Sequence, residues 1–288
     1  MKKILVTGGN GQLATCIRDI DSTALEFQFI YVDLPEFDIT DKEKVSDFFN
    51  ENDISYCVNC AAYTAVDKAE TEKNLAHSVN VLGAKHLAEA CQAHNAVMLH
   101  ISTDFVFDGD QGSIYSETDP KNPLGVYGLT KLQGEEVVSE TLNEHFILRT
   151  SWLYSEHRHN FVKTMLRLGS ERDTLNVVSD QIGTPTYAGN LAELIVRLIK
   201  HESEAYGLYH YSNEGVASWY DFAKAIMDES KTECKVLPIK TEGYPTPAKR
   251  PAFSVMDKSK IKNTLEMEIP HWRDSLQKCL IKLVGFVN

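Results

Sequence analysis

Cysteine is scarce in this chain, six residues in 288 at positions 16, 57, 60, 91, 234 and 279, and a density that low excludes a disulfide framework. All six are read as free thiols. Cys57 and Cys60 have the C-x-x-C spacing of redox and zinc sites, but they close a strand-like run in which side chains three apart point to opposite faces. No second Cys or His pair supports a zinc site, and His157-Arg158-His159 reads as a polar loop. Cations are short as well: 29 Lys and Arg against 41 Asp and Glu leave a net charge of −12 with no long basic run, which argues against a nucleic-acid partner. Long apolar runs are missing, so no membrane partner is expected. Met1-Lys2-Lys3 leads straight into a short strand instead of a secretory leader, and a cytoplasmic protein is the expectation. Repeats and low-complexity segments are absent too.

What is present is 43% hydrophobic residues, enough for a proper core, set out as short apolar runs alternating with amphipathic stretches. Lys3 to Thr7 reads as a buried strand that runs into Gly8-Gly9-Asn10-Gly11-Gln12-Leu13-Ala14. Strand, glycine turn and helix in that order suit a dinucleotide. Gly8 allows the tight turn, Gly11 the close approach of backbone to pyrophosphate, and the helix from Gln12 offers its amides and positive end. The second strand, Phe27 to Val32, ends on Asp33, about 20 positions beyond the turn, where a carboxylate holds the adenosine ribose hydroxyls. A helix opens after Asp38-Ile39-Thr40-Asp41 with Val45, Phe48 and Phe49 inward. A third strand is expected over Tyr56 to Ala62, a long helix over Thr71 to Gln92 containing Asn80, and a fourth strand over Val97 to Ser102.

Gly8 to Gln12, Asp33, Ala61 to Thr64 and Ser102 to Asp104 all fall at strand carboxyl ends, where open α/β sheets bind ligands. The fold class expected is therefore α/β, a Rossmann-type doubly wound parallel sheet with a smaller C-terminal substrate-binding lobe. Phe146 to Arg149 reads as a strand ending in Thr150-Ser151-Trp152, and beyond Trp152 the periodicity loosens, though helices are expected over Phe161 to Leu168, Asn190 to Ile199 and Trp219 to Met227, and a strand over Leu208 to Tyr211. Residues 1–151, completed by part of 186–211, would hold the dinucleotide, and 152–288 mainly the substrate. Tyr244-Pro245-Thr246-Pro247-Ala248-Lys249-Arg250-Pro251 cannot be helix or central strand. It reads as a rigid loop whose two cations suit closure over an anionic ligand.

Tyr127 and Lys131, four apart, share one face of a helix that Asn122 and Pro123 are placed to start. A positive charge about 4 Å from a phenol, at an effective dielectric near 20, is worth roughly 4 kcal/mol, or about three pK units. That predicts a tyrosine brought down into the working range of a proton donor.

With the glycine turn, NCAAYTAVDKA at 59–69, STDFVFDG at 102–109, VYGLTK at 126–131, RTSWLY at 149–154, the DQIGTPT loop and YPTPAKRP, the chain resembles the extended short-chain dehydrogenase/reductases over nearly its whole length. The resemblance implies reduction, by NADPH or NADH, of the C4 ketone of dTDP-4-dehydro-β-L-rhamnose, the last step of dTDP-L-rhamnose synthesis. It makes Tyr127 the proton donor, Lys131 the group that favours its phenolate and holds the nicotinamide ribose, and Thr103, in preference to its neighbour Ser102, the hydroxyl bonded to the ketone oxygen. It assigns Gly11, Gln12 and Leu13 to the cofactor phosphates, Asp33, Asp38 and Ile39 to the adenosine half, Ala62, Tyr63 and Thr64 to its middle, and Ile101 to the nicotinamide side. Asp104, Trp152 and Arg250 would meet the nucleotide sugar. Relatives that dimerise around magnesium use glutamates where this chain has Cys16 and Gly189, so no metal site is expected and a monomer or weak homodimer is. Asp33, with no Arg or Lys between it and Asp41, favours NADH, whereas the resembled family is commonly described with NADPH. Two rivals are another nucleotide-sugar reductase or epimerase, and a non-catalytic dinucleotide-binding partner like the regulatory subunit of methionine adenosyltransferase; the intact Thr103, Tyr127 and Lys131 count against the latter.

Overall fold

The computed structural model of the chain describes residues 1–284. Its first half alternates strand and helix: β1 Lys2–Thr7, α1 Gln12–Ile20, β2 Phe27–Val32, α2 Lys42–Glu51, β3 Ile54–Asn59, short helices α3 Val66–Ala69 and α4 Lys73–His77, α5 Ala84–His94, β4 Val97–Thr103, α6 Val126–Thr141 and β5 His145–Thr150. The second half is more broken, with β6 Leu153–Tyr154, α7 Phe161–Glu171, β7 Thr174–Val178, β8 Ile182–Gly183, β9 Thr186–Tyr187 and α8 Ala188–Lys200. It continues through β10 Gly207–His210, β11 Ala217–Ser218, α9 Trp219–Ser230, β12 Lys235–Ile239, α10 Ser259–Leu265 and α11 Trp272–Val284. No helix among the described residues is long and apolar enough to cross a membrane.

Six strands form one parallel sheet in the order β10-β5-β4-β3-β1-β2. The chain leaves β1 for β2 on one side and returns to β3 on the other, so the switch point lies between β1 and β3. Because alternate strand residues face opposite ways, each strand feeds two cores. Ile4, Val6, Val58, Leu99 and Leu148 pack against α1 and α8. Leu5, Cys57, Met98 and Ile147 pack against α2 and α5 on the other face. Cys57 and Cys60 divide between these two cores as their spacing predicts. A third core around Phe222, Trp272 and Leu276 serves α7, α9 and α11.

Four departures from the sequence reading have clear physical causes. The third strand ends at Asn59 instead of Ala62, because the Asn59 side chain turns back to accept from the Ala61 amide at 3.2 Å. The long helix expected over Thr71 to Gln92 is interrupted by a π-helical stretch, Ser78–Gly83. That wider turn aims Asn80 inward, where its oxygen accepts from Tyr63 N at 2.8 Å and its nitrogen donates to Tyr63 O at 3.2 Å and Thr130 Oγ1 at 3.0 Å. α6 starts at Val126, not at Asn122 or Pro123: Gly125 is its N-cap, and the Val126 amide donates to Glu70 Oε1 at 2.9 Å. The parallel pair β7 and β12 has no counterpart in the reading, since Pro238 inside β12 argues against a strand and is tolerated only because the sheet has two strands.

Candidate active site

A cleft of about 870 Å³ opens at the carboxyl ends of the sheet strands and reaches across to the second lobe. It is lined by Gly8, Gly11, Gln12, Leu13, Asp33, Asp38, Ile39, Ala62, Tyr63, Thr64, Ile101, Thr103, Asp104, Tyr127, Lys131, Trp152 and Arg250, so every residue expected at the cofactor, the reacting ketone or the sugar borders one space. At one end the glycine turn fits a dinucleotide. Gly8 has φ +62, and a Cβ on it would stand 2.8 Å from Ala61 N, while one on Gly11 would stand 3.0 Å from Gly8 O. Gly11 is the N-cap of α1 and no side chain caps the first amides, which leaves them for an anion. Asp33 is fixed beside them, one oxygen accepting from Asn10 N at 2.7 Å and the other from Leu34 N at 2.8 Å. These features fit the phosphates and ribose of a dinucleotide.

At the other end β4 delivers Ser102 and Thr103 to different partners. Ser102 donates to Glu135 Oε1 at 2.5 Å, and Glu135 is itself paired with the buried Arg149 guanidinium at 2.6 and 2.8 Å. Thr103 turns toward Tyr127 and donates to Asp104 Oδ1 at 3.1 Å. Asp104 is 1% exposed and its Oδ2 has no aligned hydrogen-bond partner, although Ser254 lies close enough to lower its pKa. Burial pushes this carboxyl up to about 6.

The expected direction of the Tyr127 shift is reversed. Burial of the hydroxyl pushes its pKa up to about 12; a hydrogen bond with Thr103 pulls the other way and the Asp104 charge adds to the rise. Lys131 does not offset this, because its Nζ donates to Ile101 O at 2.7 Å and its own pKa falls to about 8, chiefly through burial. Arg250, expected at the nucleotide sugar, borders the cleft with its guanidinium already paired. Its Nη1 and Nη2 grip Asp67 Oδ1 and Oδ2 at 3.1 and 2.9 Å, which draws the proline-rich loop onto α3. That guanidinium holds the Asp67 carboxyl below its usual range. Trp152 has a left-handed backbone, φ +46, and lies flat on Trp219 with ring centroids 3.6 Å apart. Gly183 backs the indole so closely that a Cβ there would come within 2.8 Å of it.

Sequence reasoning missed Trp219, Asp67, Arg158 and His159. The His157-Arg158-His159 loop is polar, but it is folded over the glycine turn. Arg158 donates from Nε to Asn10 O, Ser155 donates to Gln12 Oε1 at 3.2 Å, and His157 Nε2 lies 2.6 Å from Asp19 Oδ2. The signal available was three consecutive basic or titratable residues in an acidic chain. Behind this loop Cys16, Glu156 and His157 bring potential ligand atoms within 4.8 Å of one another, with the Lys282 ammonium already 2.7 Å from Glu156 Oε1.

A parallel sheet of this strand order, with a glycine turn at its switch point and a tyrosine and lysine on the helix beside the next strand end, defines an extended short-chain dehydrogenase/reductase. The fold and its cleft set that class. The sequence profile of the family described as RmlD substrate binding domain matches residues 1–284, and the chain belongs to this family of dTDP-4-dehydrorhamnose reductases, nicotinamide-dependent oxidoreductases. A dTDP-4-dehydrorhamnose reductase from Aggregatibacter actinomycetemcomitans is 43% identical over 288 residues, spanning 96% of this chain and 98% of its own. The crystal structure of such a reductase from Clostridium acetobutylicum superposes with a TM-score of 0.94 at 41% identity, over 98% of this chain and 99% of that one. The Bacillus anthracis reductase, solved in complex with NADP, gives a TM-score of 0.94 at 39% identity over 98% of this chain and 100% of that one.

Proposed function

We propose that this chain reduces the C4 ketone of dTDP-4-dehydro-β-L-rhamnose to give dTDP-L-rhamnose. The observation that carries the reading is the meeting of Thr103, Tyr127 and Lys131 in the same cleft as the glycine turn. The relatives' shared name supplies the substrate. Residues 1–151 with part of 186–211 hold the dinucleotide: Gly8, Gly11, Gln12 and Leu13 its phosphates, Asp33, Asp38 and Ile39 its adenosine half, Ala62, Tyr63 and Thr64 its middle, and Ile101 and Lys131 its nicotinamide end. When bound, a reduced nicotinamide supplies the hydride for the ketone carbon. Tyr127 gives its phenolic proton to the ketone oxygen as negative charge builds there, and Thr103 hydrogen-bonds the same oxygen. A phenol held near pKa 12 is fully protonated at neutral pH, the form a donor needs. Lys131, close by on the same helix face, then stabilises the phenolate left behind. Asp104 and Trp152 hold the nucleotide sugar, and residues 152–288 form most of its seat.

Incubating the purified protein with reduced cofactor and a panel of 4-keto nucleotide sugars tests this directly. Fastest turnover is expected with dTDP-4-dehydro-β-L-rhamnose; turnover of none of them would sink the reductase reading. On cofactor choice, Asp33 can accept from both ribose hydroxyls but opposes a 2′-phosphate. NADH is therefore expected to serve at least as well as NADPH, and Asp33→Ala to shift preference toward NADPH. A hundredfold NADPH preference in the unmodified protein would show that Asp33 does not face the ribose.

A further inference from the structure

Beneath the cleft a line of buried polar side chains runs from β1 to Lys131 on α6, and no step above uses the three that lead to the lysine. Thr7, Asn59, His100 and Lys131 are 0%, 2%, 1% and 2% exposed. Thr7 Oγ1 lies 2.7 Å from Asn59 Oδ1, Asn59 Nδ2 lies 3.1 Å from His100 Nδ1, and His100 Nε2 lies 3.4 Å from Lys131 Nζ. The direction of every contact follows from one group that has no choice. The Ala61 amide can only donate, and it lies 3.2 Å from Asn59 Oδ1. That sets the carboxamide with its oxygen toward Thr7 and Ala61 and its nitrogen toward His100. An amide nitrogen also only donates, so His100 Nδ1 is the bare acceptor and the ring proton sits on Nε2. This N–H faces Lys131. Two donors repel, so an ammonium gains nothing from it, whereas a neutral amine accepts it with its lone pair.

We propose that His100 is a positioning residue that sets the charge of Lys131: locked by Asn59 as its Nε2–H tautomer, it favours the amine over the ammonium. The surroundings agree. Lys131 is already pushed down to about 8 by burial, against the opposing pull of Glu135 and Cys60, and Glu135 has its charge committed to Arg149. His100 is held well below its usual range by burial, by the Lys131 charge and by His145, so it stays a neutral ring with a single proton. A lysine balanced near neutrality can hand a proton to the Tyr127 phenolate and take one back from solvent, which a fixed ammonium does poorly. This use of Lys131 rests on the reductase reading; the tautomer and the titration do not.

Two measurements on the full chain test it. In protein labelled with 13C at lysine Cε, the Lys131 signal, identified by its loss in Lys131→Arg, is followed by NMR against pH. His100→Gln replaces the fixed donor with an amide that can turn its oxygen to the ammonium, and a hydrogen bond to the charged form should raise the Lys131 midpoint by about one unit. The limb of the kcat/KM profile that reports Lys131 should move up with it. A midpoint that stays in place or falls overturns the proposal. The second measurement needs no variant: 15N-histidine spectra of the unmodified protein should show His100 protonated at Nε2, and a proton at Nδ1 would overturn it equally. Neither NMR experiment contains cofactor or sugar, so either can fail while turnover stands, and turnover can fail while both succeed.

Discussion

At the scale of single residues, Tyr127 and Lys131 carry the sharpest expectations. Tyr127→Phe should keep cofactor affinity and lose kcat by about 10² to 10⁴, the range for removing a general acid; kinetics near those of the parent would remove Tyr127 from the mechanism. Lys131 has a stability consequence of definite sign. Its folded pKa of about 8 lies below the ordinary 10.5, so the unfolded chain binds the proton more tightly between those values and stability rises with pH across that window. Below pH 8 the buried charge costs on the order of 3 kcal/mol. Lys131→Met should accordingly stabilise the chain at pH 7 and lose that advantage toward pH 10.5, as measured by urea unfolding at both ends; a pH-independent difference would contradict the argument. The identities of these residues were legible in the spacing of Tyr and Lys and in the polar strand ends. The directions of their shifts were not, because Tyr127 is governed by burial and by Asp104, and a linear spacing carries no measure of either.

Among elements, the alternation of short apolar runs with amphipathic stretches was enough to read the parallel sheet, while its switch point between β1 and β3 came only with the strand order. What escaped were interruptions imposed by distant partners. The π-helical turn at Ser78–Gly83 exists for Asn80, whose contacts with Tyr63 and Thr130 lie 17 and 50 positions away. α6 likewise takes its start from Glu70, 56 positions upstream. The DQIGTPT segment read as a loop, yet its strand β8 presses Gly183 against Trp152. Gly183→Ala would force that indole away from Trp219. We expect KM for the sugar nucleotide to rise severalfold with little change in cofactor affinity, checked by steady-state kinetics beside a cofactor titration. Equal weakening of both would make Gly183 a packing residue of the whole cleft.

For the whole molecule, the pair of Asp67 with Arg250 joins residues 183 positions apart and ties the proline-rich loop to α3 in the first half of the chain. Nothing local to either residue announces it. The pair is partly exposed, so Arg250→Ala should cost no more than about 1 kcal/mol of stability, while the loosened loop raises KM for the sugar nucleotide. If thermal stability collapsed instead, the loop would be a structural strut. Another asymmetry between the halves is optical. The chain has three tryptophans, at 152, 219 and 272, and none lies before residue 151. Two of them are stacked within 3.6 Å along the cleft, and the third is buried in the core around α9 and α11. Indole emission therefore samples only one side of the cleft: a ligand that disturbs the stacked pair changes the colour and yield of the light, while melting confined to the strands β1 to β4 passes unseen.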